Sequence, residues 1–251
     1  EAENNKWYAY VVLQKESGWY NNQTYLDVLN KEAVLRFIEV THERYKECVG
    51  DELGKTVPAI FTDEPQFMPK GNLASSFDKS AVSMPWTDSL PQRYFDAYGE
   101  DISATLPELF FEKGKGEISP TRYRYHDLVT EMFCEAFADT VGEWCEKNGI
   151  ASTGHLMEET TLERQSRLVG EAMRSYRSFQ LPGIDMLCNR HEFITAKQTQ
   201  SAVHQYGREG MASELYGVTT WEYDFRGHKQ QGDWQAAMGV TVRVPHLFWY
   251  S

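Results

Sequence analysis

The sequence predicts an α/β fold, a parallel (β/α)8 barrel of which this chain holds only a part. Short apolar, β-prone runs alternate with helical patterns along the 251 residues, as expected for a parallel sheet. The length suits one domain of this type, so residues 1–251 are predicted to form a single barrel domain. Two glutamates, Glu64 and Glu214, stand where predicted strands end. In such a barrel all these strand ends open onto one face.

Six strands are predicted, and a closed barrel of this type needs eight. An open edge would leave unpaired backbone groups exposed. We therefore expect a partial barrel from a larger parent chain, with strands three to eight present and the first two β/α units absent. A compact open α/β fold is the alternative. The predicted strands lie near residues 8–14, 57–62, 150–155, 184–188, 211–215 and 241–246.

Two helices are well marked by their ends. One is predicted from Asn30 to Gly50, with apolar residues every three or four positions. The other begins at Ser119 and Pro120, an N-cap followed by a proline at the first helical position. Its long apolar stripe continues to a stop at Gly149.

An insertion separates the second predicted strand from the second of these helices. It spans about residues 66–118, is rich in Pro, Gly and Ser, and contains one short helical pattern near 89–98. Insertions of this length after a barrel strand usually form functional loops.

Composition restricts the classes of partner. The net charge is −12 and no basic run occurs, so nucleic acid and anionic membranes are not expected as partners, whereas a neutral substrate is. No apolar run approaches the length of about 20 residues that crosses a bilayer. No signal peptide is recognised in this chain, which reads as a soluble protein of unassigned compartment. The four cysteines lack CxxC spacing and are expected to be buried thiols.

The two glutamates suggest the chemistry. Two carboxyl groups flanking a bond are what glycoside hydrolysis requires. Glu64 would be the general acid, because partial burial raises a carboxyl pKa and lets the group hold a proton near neutral pH. Glu214 would be the second carboxylate, acting as base on a water or directly as nucleophile. The separation of the two groups decides between inversion and retention.

Further polar and aromatic residues follow the predicted strands and are candidate substrate contacts. Glu158 or Glu159 could replace Glu214 as the base, and His155 is either a buried structural histidine or a donor to substrate hydroxyls. Asp63 is expected to point to the opposite side of its strand from Glu64. No zinc spacing is present, so no metal ligand is assigned from the residues. The candidate contacts are Asp63, His155, Glu158, Glu159, Asn189, Arg190, His191, Trp19, Trp221 and Trp249.

Several motifs resemble known glycosidase barrels. If the first two units are absent, Glu64 and Glu214 follow strands four and seven, which is similar to the carboxylate placement of clan A glycoside hydrolases. In that clan Asn usually precedes the first glutamate, and Asp63 stands there in this chain. The chain more closely resembles the α-L-rhamnosidase-like family 106. That resemblance rests on Phe61-Thr62-Asp63-Glu64-Pro65, Gly154-His155-Leu156-Met157-Glu158-Glu159, Pro182-Gly183-Ile184-Asp185, Ser213-Glu214, Gly217, Trp221, Asp233-Trp234 and Gly239-Val240.

The resemblance implies an inverting glycosidase acting on a carbohydrate, with a Ca²⁺ ion near the sugar. The residues themselves require no cofactor. Two other functions remain open at this stage. One is a non-catalytic carbohydrate-binding remnant of such a barrel. The other is a metal-dependent hydrolase barrel, which ranks last because His155, His191 and His246 are the only histidines at strand ends and form no HxH pair.

Overall fold

The computed structural model describes residues 6–75 and 77–247. Its centre is a curled parallel sheet, half a barrel, in which the five strands pair in chain order. Every neighbouring pair is parallel, so all strands end at the same edge. The fold is therefore α/β, as predicted. The strands are β1 (Ala59–Thr62), β2 (Ala151–Gly154), β3 (Leu181–Met186), β4 (Ala212–Leu215) and β5 (Val242–Pro245).

In the described part of the chain, two α-helices precede β1, and the others lie in the connections between the strands. Within the described residues, none is long and apolar enough to pass through a bilayer. They are α1 (Lys31–Val40), α2 (His42–Val49), α3 (Leu90–Tyr98), α4 (Ile102–Thr105), α5 (Pro120–Phe133), α6 (Thr140–Lys147), α7 (Leu162–Leu168), α8 (Ala172–Ser175), α9 (Phe193–Gln205) and α10 (Phe225–Ala237).

The long helix predicted from Ser119 is confirmed. The Ser119 hydroxyl accepts a hydrogen bond from the Arg122 N–H, and Pro120 occupies the first turn. Between α5 and α6 the backbone widens into a π-helical segment over Cys134–Asp139. One continuous helical rod thus leads from the insertion to the start of β2. The short helix predicted near residues 89–98 is α3.

The first predicted strand is wrong. Residues 8–14 pair with no described strand, and the side chains of Tyr8, Tyr10 and Leu13 are 80%, 76% and 84% exposed. The sequence pattern was apolar on both faces, but an apolar run becomes a strand only when a neighbour supplies its backbone hydrogen bonds. The sheet consequently has five strands among the described residues instead of six.

The helix predicted from Asn30 to Gly50 is interrupted. Asn30 caps α1 as expected, yet the helix ends at Thr41, whose hydroxyl bonds back to the Phe37 carbonyl before α2 begins. Such local side-chain bonding competes with the helical ladder. The break rotates the second half, so Tyr45 and Cys48 are exposed instead of buried.

The core consists of two hydrophobic clusters among the described residues. The larger cluster packs β1 and β2 against α1, α3 and the rod of α5 and α6, through residues such as Tyr94, Tyr125 and Phe133. The smaller cluster places α9 against β3 and includes Ile184 and Met186. These buried clusters fix the strands from which the polar residues project.

Candidate active site

Ionisable side chains occupy the ends of four neighbouring strands. Glu64 follows β1, His155 follows β2, Asp185 lies in β3 and Glu214 lies in β4. Asp185 and Glu214 are direct partners in the parallel register, so their side chains lie side by side on one face. The carboxyl edge of a parallel sheet is where barrel enzymes hold their pockets.

His155 is the centre of this group. Its side chain is 1% exposed, and its Nε2 atom lies 3.0 Å from the Oδ1 atom of Asp63. Its Nδ1 atom lies 3.9 Å from the Oε2 atom of Glu214. Neither ring nitrogen is aligned for a protein hydrogen bond, so these contacts are ion pairs in character. A substrate hydroxyl could take up the remaining donor capacity.

Gly154 explains how His155 reaches this position. At φ +122° the Gly154 backbone adopts a conformation that side-chain-bearing residues rarely enter, and a Cβ there would lie 2.0 Å from the Thr62 carbonyl oxygen. The glycine lets β2 approach β1 closely at its last residue. The backbone N–H of the next residue, His155, then donates a hydrogen bond to the Thr62 carbonyl of β1.

Strained backbone follows each of the four strands. Non-glycine residues with positive φ occur at Glu64 (+46°), Glu158 (+56°), Cys188 (+58°) and Tyr216 (+74°). Each such residue costs free energy that the surrounding packing must offset, and such residues cluster at functional sites. The left-handed turn at Glu64 also ends the side-to-side alternation of β1.

The alternation expected for Asp63 and Glu64 is therefore wrong. Oxygen atoms of Asp63 and Glu214 and a ring nitrogen of His155 all lie within 4.8 Å of one another, and the same holds for Glu64, Asp185 and His155. The two consecutive carboxylates thus meet the same imidazole, because extended geometry stops at Glu64.

The environments of these two neighbours push their pKa values apart. Burial is the main cause that raises the pKa of Glu64; the charge of His155 opposes this rise, and the charges of Asp63, Glu158 and Glu214 add to it. Contact with His155 is the main cause that lowers the pKa of Asp63. Divergent pKa values of adjacent carboxyl groups are typical of acid and base assignments.

His155 and Asp185 are also shifted. Burial alone would lower the pKa of His155, but the nearby carboxylates of Asp63, Glu159 and Asp185 raise it to about 9. Burial raises the pKa of Asp185 to about 6, and the charges of Glu214 and Glu64 act in the same direction. The imidazole is therefore protonated near neutral pH and carries the positive charge of the cluster.

Glu159 is a buried carboxyl group that interacts with His155. It is 4% exposed, accepts a hydrogen bond from the Leu156 N–H at 3.1 Å and another from the Tyr176 hydroxyl. Burial raises its pKa to about 7. Its carboxylate faces the interior, so we assign it a supporting role in place of the substrate contact expected from the sequence. Glu158 instead is half-buried and pairs with Arg164 at 2.7 Å.

The remaining expected contacts are dispersed. Asn189 and Arg190 are exposed after β3, and the His191 ring stacks on Trp234 at a centroid distance of 4.5 Å. Trp19 and Trp221 are 88% and 92% exposed, and no ring contact or side-chain hydrogen bond within the described ranges joins them to the carboxylates. Trp249 lies outside the described residues.

Two residues of the cluster were missed as site residues. Asp185 sits inside an otherwise apolar strand, and a charge in a buried parallel strand is a signal that could have identified it. The Nε2 atom of His246, just after β5, lies 3.7 Å from the Oε1 atom of Glu214. That proximity depends on the pairing of β4 with β5, which no local pattern encodes.

The cluster does not fit a calcium ion well. Ca²⁺ prefers six to eight oxygen ligands, and both candidate donor sets include the imidazole of His155. The imidazole nitrogen of His155 is a softer ligand than the oxygens that Ca²⁺ prefers. The His155 imidazolium itself supplies positive charge beside the carboxylates.

Comparison with known proteins bears on the fold. No protein-family model matches the chain, and no curated protein matches it. Among solved structures, a rhamnosidase from Novosphingobium sp. PP1Y superposes with a TM-score of 0.69 at 19% sequence identity. The chain resembles that rhamnosidase in fold. The match covers 90% of this chain but only 21% of the rhamnosidase, so this chain spans about a fifth of that protein.

Proposed function

We propose that the chain is part of the catalytic barrel of a glycoside hydrolase that releases L-rhamnose or a similar sugar from a neutral carbohydrate. The observation that carries the proposal is the pair of carboxyl groups, Glu64 and Glu214, that converge on one protonated histidine at the carboxyl edge of the sheet. The fold likeness to a rhamnosidase supports the same assignment. Nucleic acid and anionic membranes are not proposed as partners.

Glu64 acts as the general acid in this proposal. Burial raises its pKa, which favours the protonated form that a general acid requires, and protonation of the glycosidic oxygen lets the leaving group depart. Glu214 acts as the base that removes a proton from a water molecule attacking the anomeric carbon on the opposite face. The carbon–oxygen bond to the leaving group breaks as the new bond to water forms, which inverts the configuration.

His155 and Asp63 position the reacting groups. The His155 imidazolium lies 3.9 Å from the Glu214 carboxylate and orients it by Coulombic attraction. The lowered pKa of Asp63 leaves it an acceptor for a sugar hydroxyl. Asp185, beside Glu214 in the register, offers a second acceptor.

Further β/α units would close the sheet into a full barrel. Parallel sheets are normally covered on both faces, yet β5 is largely exposed and Val242 is 41% accessible. The apolar side chains of residues 8–13 are exposed as well. Surfaces of this kind mark interfaces, and two added strands with their helices would cover them. The parent chain of a larger protein is the proposed source of these units.

The test is turnover by the full-length protein. It should release L-rhamnose from 4-nitrophenyl α-L-rhamnopyranoside or from an α-L-rhamnosyl oligosaccharide, and proton NMR of the first product should show the β anomer. A Glu64→Gln, Glu214→Gln double variant is the negative control. If the first product is instead the α anomer, Glu214 acts as a nucleophile and not as a base. Sugar binding without turnover of any glycoside would instead support the carbohydrate-binding remnant.

A further inference from the structure

A separate cavity of about 520 Å³ opens beside the carboxylate cluster, between the segments that follow β2 and β3. Its walls come from the first turns of α7 and α9 and the residues just before them. They combine two arginines, two hydroxyls, one carboxylate and two apolar side chains. The lining residues are Thr160, Thr161, Arg164, Arg190, Glu192, Phe193 and Ile194.

Glu158 connects this cavity to the proposed catalytic acid. Its Oε2 atom binds the Nη1 atom of Arg164, a wall residue, at 2.7 Å. Its negative charge is also close enough to Glu64 to raise the pKa of that group. Glu158 thus interacts with both a wall residue and Glu64, and the cavity opens at the same edge of the sheet as the carboxylate cluster.

Phe193 provides a fixed aromatic surface. Its side chain is 57% exposed, yet its ring is held at 90° to Trp234 with a centroid distance of 5.2 Å. Trp234 is in turn stacked on His191. An exposed ring that is already oriented loses little entropy on binding, and the adjoining Ile194, 58% exposed, extends the apolar area. The apolar C–H face of a sugar ring is a suitable partner for such a surface.

The charges on the walls balance. Arg164 is neutralised by Glu158, and the Glu192 carboxylate accepts a hydrogen bond from the Thr195 hydroxyl at 3.1 Å. Arg190 takes part in no ion pair within residues 6–75 and 77–247, so its guanidinium is available to a ligand. A wall with one available cation and one carboxylate suits the hydroxyl groups of a neutral ring better than an anion.

We propose that this cavity binds a second, neutral sugar ring of the substrate, the one that leaves with the glycosidic oxygen. The inference rests on the proposed glycosidase function and makes the substrate a disaccharide or longer chain. Phe193 packs against the face of the leaving sugar, and Arg190 donates to its hydroxyls.

The test compares substrates with and without the second ring. The full-length protein and its Phe193→Ala and Arg190→Ala variants are assayed with α-L-rhamnosyl fluoride and with α-L-rhamnosyl-D-glucose disaccharides of different linkage. The ratio of kcat/KM on the best disaccharide to kcat/KM on the fluoride should fall about tenfold in each variant. Phe225→Ala, which removes a phenylalanine that is 92% exposed and does not line the cavity, should keep the wild-type ratio. An unchanged ratio in Phe193→Ala would overturn the proposal.

A binding measurement separates this inference from the proposed function. Disaccharide binding to the Glu64→Gln variant is followed by intrinsic tryptophan fluorescence, since Trp234 supports the cavity wall. Adding Phe193→Ala should weaken binding about tenfold, whereas adding Phe225→Ala should not. If the wild type hydrolyses no rhamnoside, the proposed function is wrong. The difference in binding between the two double variants still shows whether the cavity binds a sugar ring. Equal binding in the two double variants would reject the second-ring site.

Discussion

The carboxylate of Glu214 lies between two imidazoles, with its Oε2 atom 3.9 Å from the Nδ1 atom of His155 and its Oε1 atom 3.7 Å from the Nε2 atom of His246. The two histidines follow β2 and β5, on either side of β4 along the curled sheet. Both oxygens of Glu214 are thus oriented by residues from other strands. A base or nucleophile benefits from such restraint, because misoriented groups lose much of their catalytic effect.

Replacing either member of the proposed pair should remove most activity. Glu64→Gln eliminates the transferable proton, and Glu214→Gln eliminates the basic oxygen, so kcat should fall by about 10²–10⁴-fold in each. Both changes are nearly isosteric, and circular dichroism and thermal unfolding should remain close to wild type. Glu112→Gln, at an exposed position in the insertion, is the matched control. Turnover near the wild-type rate in Glu64→Gln or Glu214→Gln would remove that residue from the mechanism.

His155 should make stability depend on pH. Its folded pKa of about 9 exceeds the ordinary value of 6.5, so its contribution is fully present below pH 6.5 and is lost as pH rises through 9. The difference in unfolding free energy between wild type and His155→Gln should shrink from pH 6 to pH 9.5 in urea titrations. His204→Gln, at an exposed position of α9, is the matched control. A constant difference for His155→Gln would mean that the ring is neutral in the folded protein.

Lys70 should destabilise the fold below neutral pH. The side chain is 5% exposed, its Nζ atom has no hydrogen-bond partner among the described residues, and it lies 4.8 Å from the centre of the Phe67 ring. Burial lowers the pKa of Lys70 to about 7, so the unfolded chain binds more protons between pH 7 and 10.5. The unfolding free energy of the wild type should rise across that window by up to about 1.4 kcal/mol per pH unit from this group.

The Lys70→Met variant tests the predicted direction of this pH dependence of stability. The variant should be more stable than wild type at pH 6, and its advantage should decline toward pH 10 in the same urea titrations. Lys79→Met, at an exposed position, serves as the control. A Lys70→Met variant that is less stable than wild type at pH 6 would show that the ammonium group finds favourable partners in the folded protein.

Relief of strain after β4 should stabilise the protein. Val218 has φ +55° and is 64% exposed, so this β-branched residue occupies a left-handed conformation without a large buried contact. Val218→Gly should raise the unfolding free energy by roughly 1 kcal/mol, after the added entropy of the unfolded glycine is subtracted. The same change at Val40, an exposed residue of α1, should lower it by a similar amount. Destabilisation by Val218→Gly would argue against strain at this turn.

Local patterns predicted the elements whose determinants lie within a few residues. The Ser119–Pro120 start of α5 depends on one side-chain bond and one fixed φ, both set by adjacent residues. The strands β1 to β5 were predicted to within a few residues by their apolar content. Residues 8–14 show the limit of that approach, because their apolar pattern is strand-like but no described strand pairs with them.

The candidate site, like the fold, was only partly predictable from local sequence patterns. Glu64, Glu214 and His155 could be selected from the sequence because each stands at the end of a strand-like run, and parallel strands share one edge. Their meeting within a few ångströms was decided by tertiary structure, through the parallel register of β3 with β4 and the left-handed turn at Glu64.

Periodicity and turn chemistry are local properties, so the order of residues was enough to predict the α/β class and to place Glu64 and Glu214 at strand ends. Only the tertiary structure determined that Asp63 joins the same imidazole as Glu214, that Glu159 is buried beneath it, and that Asp185 and His246 belong to the group. Burial and Coulomb interactions depend on distances between residues far apart in the chain. Those distances, which shift the pKa values of Glu64 and His155, follow from packing and not from any single segment.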